Sequence, residues 1–259
     1  MTAGFPPLGF CMYCGATNCA LSREHIIPYG LGGTATLPKS SCRDCADVTK
    51  RFEHTCLRTM FGPLRIRMNL PTSHKRERPS ELDVILVHNN NSTSTIKVPA
   101  GQHPTALVCA RFHLPGILDG KLPREDHPGV LWSAYDEKEA ALLRRSHSVK
   151  GHRLGSFNAA PFCRMLAKIG HAYAVARMGG VEKFEPLLPD VIFNRTSTPS
   201  YWVGGVFEVP PVEPHLHKLD LIDVYTPDGS TYVVVDIRLF ANLGAPQYRV
   251  VVGKRREPI

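Results

Sequence analysis

Two C-x-x-C pairs, Cys11/Cys14 and Cys42/Cys45, are the feature that most restricts how this chain can fold. Only 27 residues separate them, so the segment that carries them is too short to bury a large apolar core by itself. Two such pairs supply the four thiolates of a tetrahedral zinc site, the usual role of paired cysteines in a reducing compartment. The sequence therefore predicts one structural zinc ion that these four cysteines hold.

Composition and the start of the chain indicate a cytoplasmic globular protein. The hydrophobic fraction is 43% and the charged fraction 21%, which are ordinary values for such a protein. No stretch approaches the ~18–20 uninterrupted apolar residues that a membrane span needs. The first 15 residues lack a basic segment followed by an apolar one, so no secretory signal is indicated. We therefore expect a cytoplasmic location and no membrane partner.

Hydrophobic periodicity predicts an α+β fold in two parts. Residues 1–80 are expected to form a zinc-stapled module that ends in a helix near 44–61, and residues 81–259 a β-rich α+β domain with one long helix. That helix covers 158–178, with Asn158 or Ser156 as its cap, Pro161 in its first turn and Gly179 after its last. Its apolar stripe is interpreted as core packing, and the role of residues 81–259 is left open.

Positive charge is concentrated at the N-terminal end. Residues 1–80 hold eleven Lys or Arg against five Asp or Glu, so +6 of the net +8 lies in less than a third of the chain. Such a surface suits a polyanion, because each neutralised phosphate releases counterions. We predict that nucleic acid, with DNA as the expected form, is contacted by a basic arm, with an exposed linker as the alternative. The basic arm comprises Arg65, Arg67, Lys75, Arg76 and Arg78.

An acid–histidine pair, Glu24-His25, lies between the two cysteine pairs in the segment SREHIIP, and a glycine-rich loop follows it. A C-x-x-C, an acid–histidine pair with I-I-P, a glycine loop and a second C-x-x-C that opens a helix together resemble the HNH endonucleases. The resemblance in these motifs covers residues 11–61, about a fifth of the chain. It implies a ββα-metal fold for this segment and hydrolysis of phosphodiester bonds.

The resemblance also implies a role for each member of the pair. His25 is expected to be the general base, since an imidazole of pKa near 6.5 can take a proton from water at neutral pH. Glu24 is expected to be a ligand of a catalytic Mg²⁺ or Mn²⁺, while zinc is purely structural. Adjacent residues of a strand point to opposite faces, so both reach one site only where the strand ends and turns. The glycine-rich loop predicts such a turn.

The second metal ligand is where the sequence departs from the HNH pattern. The family commonly has Asn or His early in the helix, whereas Ala46 follows Cys45 here and cannot bind metal. Asp47 is the preferred substitute, and capping of the helix N-terminus is its alternative role. Glu53 and His54, two helical turns further on, are the weaker candidates, with a surface or ion-pairing role as the alternative for Glu53.

Three interpretations of the whole chain remain open. The first is a metal-dependent endonuclease whose catalytic module is N-terminal. The second is a non-catalytic zinc ribbon that binds nucleic acid through the same cysteine pairs and basic arm. The third makes the C-terminal domain an effector-sensing or protein-interaction part, with the nuclease as its output. The pair Glu24-His25 favours the first, because a binding ribbon has no need of an acid and a histidine before a glycine turn. The sequence does not decide between DNA and RNA, nor does it give the oligomeric state.

Overall fold

A computed structural model describes residues 4–73, 75–125, 129–208 and 210–256, and shows an α+β protein, as the sequence predicts. The strands are β1 (Leu21–His25), β2 (Thr36–Cys42), β3 (Glu81–Val87), β4 (Thr93–Pro99), β5 (Ala106–Phe112), β6 (Gly129–Tyr135), β7 (Gly151–His152), β8 (Phe184–Pro186), β9 (Val203–Gly205), β10 (His217–Tyr225), β11 (Thr231–Leu239) and β12 (Tyr248–Arg255). The helices are α1 (Arg43–Thr55), α2 (Gly62–Arg67), α3 (Glu137–His147), α4 (Ala159–Met178) and α5 (Pro189–Ile192). No helix in the described ranges is both long and apolar enough to cross a membrane.

The N-terminal module is a β-hairpin that continues directly into a helix. Strands β1 and β2 pair antiparallel, and β2 ends at Cys42, whose extended backbone forms the N-cap of α1. Asp44 lies in the first turn of α1, where its negative charge is favoured by the helix dipole. The helix passes into a π-helical turn over Cys56–Met60. The predicted helix near 44–61 is therefore α1 together with this turn.

The long helix α4 lies at the centre of the molecule. It runs over Ala159–Met178, close to the predicted 158–178, with Pro161 near its start and a left-handed Gly179 (φ 80°) at its end. Asn158 occupies the N-cap position without a side-chain capping bond. Buried residues occur on all sides of the helix, which is the pattern of a helix enclosed by other elements. Two polar residues among them, Lys168 and His171, are fully buried and therefore require partners.

The C-terminal sheet packs against α4. Its strand order is β10-β11-β12-β8, with β9 also paired to β12, and all of these pairs are antiparallel. The turn at Pro227-Asp228-Gly229 joins β10 to β11, and Gly229 has φ 81°. Strand β11 is buried along most of its length, and α4 packs against it. The rest of this part of the chain includes the antiparallel hairpin β3–β4 and the helix α3.

One hydrophobic core joins the N-terminal module to the rest of the chain. It extends from Cys11 to Val252 and includes residues of α1, α4 and the C-terminal sheet. In addition, His171 Nε2 donates a hydrogen bond of 2.8 Å to the carbonyl oxygen of Met12, which lies between the first two cysteines. The predicted domain boundary near residue 80 stays a prediction. The hydrophobic core contains residues from both sides of that boundary.

Candidate functional site

The four paired cysteines form one cluster. Their Sγ atoms all lie within 4.8 Å of one another, and those of Cys14 and Cys42 are 3.8 Å apart. A tetrahedral zinc ion with Zn–S bonds of about 2.3 Å places its sulfur ligands about 3.8 Å apart, so the donor set and its spacing fit zinc. Cys42 ends β2, and Cys45 lies in the first turn of α1. A zinc ion held by these cysteines would join the N-terminal loop to the hairpin and the helix.

Glu24 and His25 reach a common cleft because β1 is irregular and ends at His25. The pairing of β1 with β2 shifts register between Ser22 and Glu24, and both side chains line a cleft of about 590 Å³. The chain then turns sharply, as the glycine-rich loop predicts. Gly32 has φ 91°, and a Cβ on Gly33 would lie 1.9 Å from the carbonyl oxygen of Ile27, so both positions require glycine.

One face of α1 forms the opposite wall of the cleft. It contributes Ala46, Thr49 and Glu53, which recur every three or four residues as one helical face must, and the π-helical turn after α1 adds Leu57. Glu53 thus lies across the cleft from the end of β1, and His54 lines the same cleft.

The structure does not bring Asp47 to the cleft. One residue along a helix is a rotation of about 100°, so Asp47 lies beside the cleft-facing stripe that Ala46 belongs to. Its side chain is 49% exposed, and its carboxylate faces Lys50 at 3.5 Å and Arg43 at 4.0 Å along the surface of α1. Of the two acidic candidates on this helix, the cleft therefore contains Glu53.

A buried ammonium links the two carboxylates of the cleft. Lys168 of α4 has a fully buried side chain, and its Nζ lies 2.8 Å from Oε1 of Glu24 and 2.8 Å from Oε1 of Glu53. Burial by itself lowers the pKa of Lys168, but the two carboxylates outweigh it and leave that pKa above its usual value. Burial raises the pKa of Glu53, with a further contribution from Glu24, against the lowering effect of Lys168.

The electrostatic surroundings of His25 suit a proton acceptor. Partial burial lowers its pKa, and the positive charges of Lys168 and Arg23 lower it further, while Glu24 acts in the opposite direction. A lowered pKa leaves the imidazole neutral at pH 7, which is the form able to accept a proton from water. The ring of Tyr29 lies beside that of His25, with 5.5 Å between their centroids.

Basic side chains that sequence reasoning overlooked surround the cleft. Arg23 on β1, Lys50 on α1 and Arg58 on the π-helical turn all line it. Lys50, His54 and Arg58 are spaced at intervals of four, which places them along one side of a helix. This spacing is visible in the sequence and could have identified these basic residues.

The basic arm divides into two groups in the structure. Lys75 and Arg76 lie exposed on a 3₁₀ turn. The other three arginines donate to acceptors within the chain: Arg65 to the carbonyl oxygens of Gly30, Leu57 and Pro71, Arg67 to Asp136 and to the carbonyl oxygens of Gly101 and His103, and Arg78 to Asn69 and to the carbonyl oxygen of Leu70. Nucleic-acid binding by the arm stays a prediction, and its exposed part is Lys75 and Arg76.

The N-terminal module combines a hairpin that leads into a helix, a four-cysteine cluster, and a cleft with a histidine and two carboxylates. These features define a zinc-stapled ββα module. Residues 11–61 of this chain match the family model described as HNH endonuclease. The predicted resemblance is thus confirmed for this segment, and it connects the module with nuclease or other nucleic-acid-related function. No curated protein and no solved structure matches the chain.

Proposed function

We propose that the cleft is the active site of a divalent-metal-dependent endonuclease, and that His25 is its general base. The observation that carries the proposal is the meeting of His25, Glu24 and Glu53 in one cleft of an HNH-type module. A neutral imidazole and two carboxylates are the groups that hydrolysis of a phosphodiester bond requires of the protein, as base and as metal ligands.

The residues of the cleft fit a hard divalent cation. Glu24 and Glu53 offer carboxylate oxygens that would hold the cation, and their side chains are only 10% and 15% exposed, so these ligands are partly shielded from solvent. When bound, Mg²⁺ or Mn²⁺ supplies positive charge to the scissile phosphate and the leaving oxygen. His25 takes the proton from the attacking water, while Arg23, Lys50 and Arg58 attract and orient the phosphate backbone.

The direct test is incubation of the purified protein with supercoiled plasmid DNA and with a single-stranded RNA, in Mg²⁺, in Mn²⁺ and in EDTA. Cutting that requires a divalent cation supports the proposal, and the preferred substrate tells DNA from RNA. Intact substrate in every condition, at protein concentrations that saturate binding, would contradict it.

The second candidate function is binding of nucleic acid without cleavage. It is favoured by Ala46, which replaces a common metal ligand, and by the ion pairs that already connect Glu24 and Glu53 to Lys168. The four-cysteine cluster fits both functions. Retention of nucleic acid in a gel-shift assay, with no cutting in any metal, is the result expected of this second function.

A pair of substitutions on α1 identifies the helix ligand. Glu53→Gln removes a charged oxygen ligand from the cleft and is expected to raise the Mn²⁺ concentration for half-maximal cutting by about tenfold or more. Asp47→Asn makes the same chemical change outside the cleft and is expected to leave that concentration unaltered. A metal titration of plasmid cutting measures both, and a shift in Asp47→Asn alone would move the ligand to Asp47.

A charge reversal tests the exposed part of the basic arm. Lys75→Glu with Arg76→Glu is expected to weaken binding to all duplex sequences alike, because phosphate contacts carry no sequence information. If both residues contact phosphate, the slope of log affinity against log salt should flatten by up to about 2. Fluorescence anisotropy in EDTA from low to moderate salt measures this slope. An unchanged slope would indicate that the turn with Lys75 and Arg76 is only an exposed linker.

A further inference from the structure

The buried lysine of the cleft comes from a distant part of the chain. Lys168 lies in the middle of α4, and besides Glu24 and Glu53 its Nζ contacts the carbonyl oxygens of His25 and Ile26. An ammonium carries three N–H groups, and this one meets two carboxylates and two carbonyls of the N-terminal module. The ammonium is therefore fully partnered within the protein, with no N–H directed at a phosphate.

Each ion pair has a close contact through one carboxylate oxygen. Oε1 of Glu24 and Oε1 of Glu53 each lie 2.8 Å from Nζ of Lys168. A carboxylate has two oxygens with several lone pairs, so each side chain can bind a cation as well as the ammonium. Lys168 is thus placed to act on the carboxylates without being a ligand itself, since an ammonium has no lone pair for a metal.

We propose that Lys168 is a positioning residue that sets the cation affinity of this centre. It holds the two carboxylates in one arrangement and offsets one of their two negative charges, so that a divalent cation meets a ligand set of net charge −1. This inference rests on the cation site of the proposed function.

The charge balance has a consequence for the reaction. A cation of charge +2 on two uncompensated carboxylates forms a neutral centre, whereas with Lys168 present the centre keeps a charge of +1. A net positive charge in a cleft shielded from water stabilises the negative charge that develops on the phosphate. The lysine therefore favours weaker binding of the cation and stronger action on the substrate. Because Lys168 belongs to α4, the centre is complete only when α4 is packed against the N-terminal module.

The test is a charge series measured by Mn²⁺ binding, without nucleic acid, on zinc-loaded full-length protein. Thiolates prefer zinc to manganese, so the cysteine cluster does not contribute to the signal. The ligand set with its lysine has a net charge of −1 in the native protein, −2 in Lys168→Met, 0 in Glu53→Gln and −1 in the double variant. Isothermal titration calorimetry or electron paramagnetic resonance of free Mn²⁺ gives the affinities.

The expected order of Mn²⁺ affinity follows the charge. Lys168→Met should bind about tenfold or more tightly than the native protein, Glu53→Gln about tenfold or more weakly, and the double variant within about threefold of the native value. Lys168→Met should also cut nucleic acid more slowly at saturating Mn²⁺, because the centre has lost its net positive charge. A lysine with a purely structural role would lower thermal stability in Lys168→Met and leave Mn²⁺ affinity unchanged.

Several outcomes would overturn the proposal. One is a folded, zinc-loaded Lys168→Met that binds Mn²⁺ no more tightly than the native protein, including the case in which neither binds. If Lys168→Met does not fold, the double variant must bind Mn²⁺ about tenfold more tightly than Glu53→Gln, and equal affinities would overturn the proposal. Plasmid cutting by the native protein is scored separately. If the native protein cuts plasmid but the Mn²⁺ affinities of the variants do not follow the charge, only the role of Lys168 is rejected. If the affinities follow the charge but the native protein does not cut, only the endonuclease activity is rejected.

Discussion

Replacement of His25 by alanine is expected to lower the rate of metal-dependent cutting by about 100- to 10,000-fold, the range that a general base contributes. His25 lies in the cleft with Glu24 and Glu53, and its lowered pKa keeps it neutral at pH 7. The measurement is the rate of plasmid nicking at saturating Mn²⁺. The matched control is His147→Ala, which removes an exposed histidine at the end of α3, remote in sequence from the cleft module, and should cut at the native rate.

Two further observations separate loss of the base from loss of the fold. The His25→Ala variant should retain its zinc and its affinity for duplex DNA in EDTA, because neither depends on the imidazole. Added imidazole should restore part of the rate, since a small base can enter the vacated space. Undiminished cutting by His25→Ala, in protein free of contaminating nuclease, would remove His25 from the mechanism.

Loss of one zinc ligand is expected to have the largest effect on stability. Four-ligand zinc sites contribute about 10–16 kcal/mol of binding free energy in small domains, and that energy is folding energy. Cys42→Ser should therefore lose stoichiometric zinc and lower the free energy of unfolding by about 4 kcal/mol or more. Elemental analysis and thermal melting measure the two effects, with the exposed Cys19→Ser as the control.

Hydrogen exchange should show where the loss of zinc acts. Backbone amides of the N-terminal loop and of β2 are expected to lose protection first, because the cysteine cluster joins them to α1. The sheet β10–β12 should keep its protection longer, since it packs on α4 and contains no residue of the cluster. Freshly purified, unchelated protein without zinc would contradict the prediction, as would a Cys42→Ser variant with native zinc content.

Features of the fold that depend on short-range patterns were predictable from the sequence. Pro161 and the glycine stop of α4 are local to the helix, and the turn at Pro227-Asp228-Gly229 is fixed by backbone preferences of three residues. The predicted cap is different, because Asn158 occupies the N-cap position without a side-chain capping bond. The four-cysteine cluster was predictable for a similar reason. Each C-x-x-C pair already brings two sulfurs together, so only one long-range contact, between the two pairs, is needed. The glycine loop and the end of β1 then fixed the position of Glu24-His25.

The choice between Asp47 and Glu53 depends on the packing of α1. Both are carboxylates on the same helix, and spacing along the sequence favoured Asp47. Packing of α1 against α4 and β1 fixes the rotation of the helix about its axis, and this rotation directs Glu53 into the cleft and Asp47 toward solvent. Periodicity shows that a helix has a covered face, but it does not show which element covers it.

Lys168 had one signal in the sequence, which is a charged residue near the middle of a long and mostly apolar helix. Such a residue must be paired when it is buried, but its partner cannot be read from the helix. The partners lie on β1 and α1, and the contact to His25 spans 143 residues of the chain. The sequence by itself determined the four-cysteine cluster, the acid–histidine pair and the class of fold, because these follow from local spacing. Only the tertiary structure decided which helix residue faces the cleft and which buried charge balances it, because these depend on how distant elements pack.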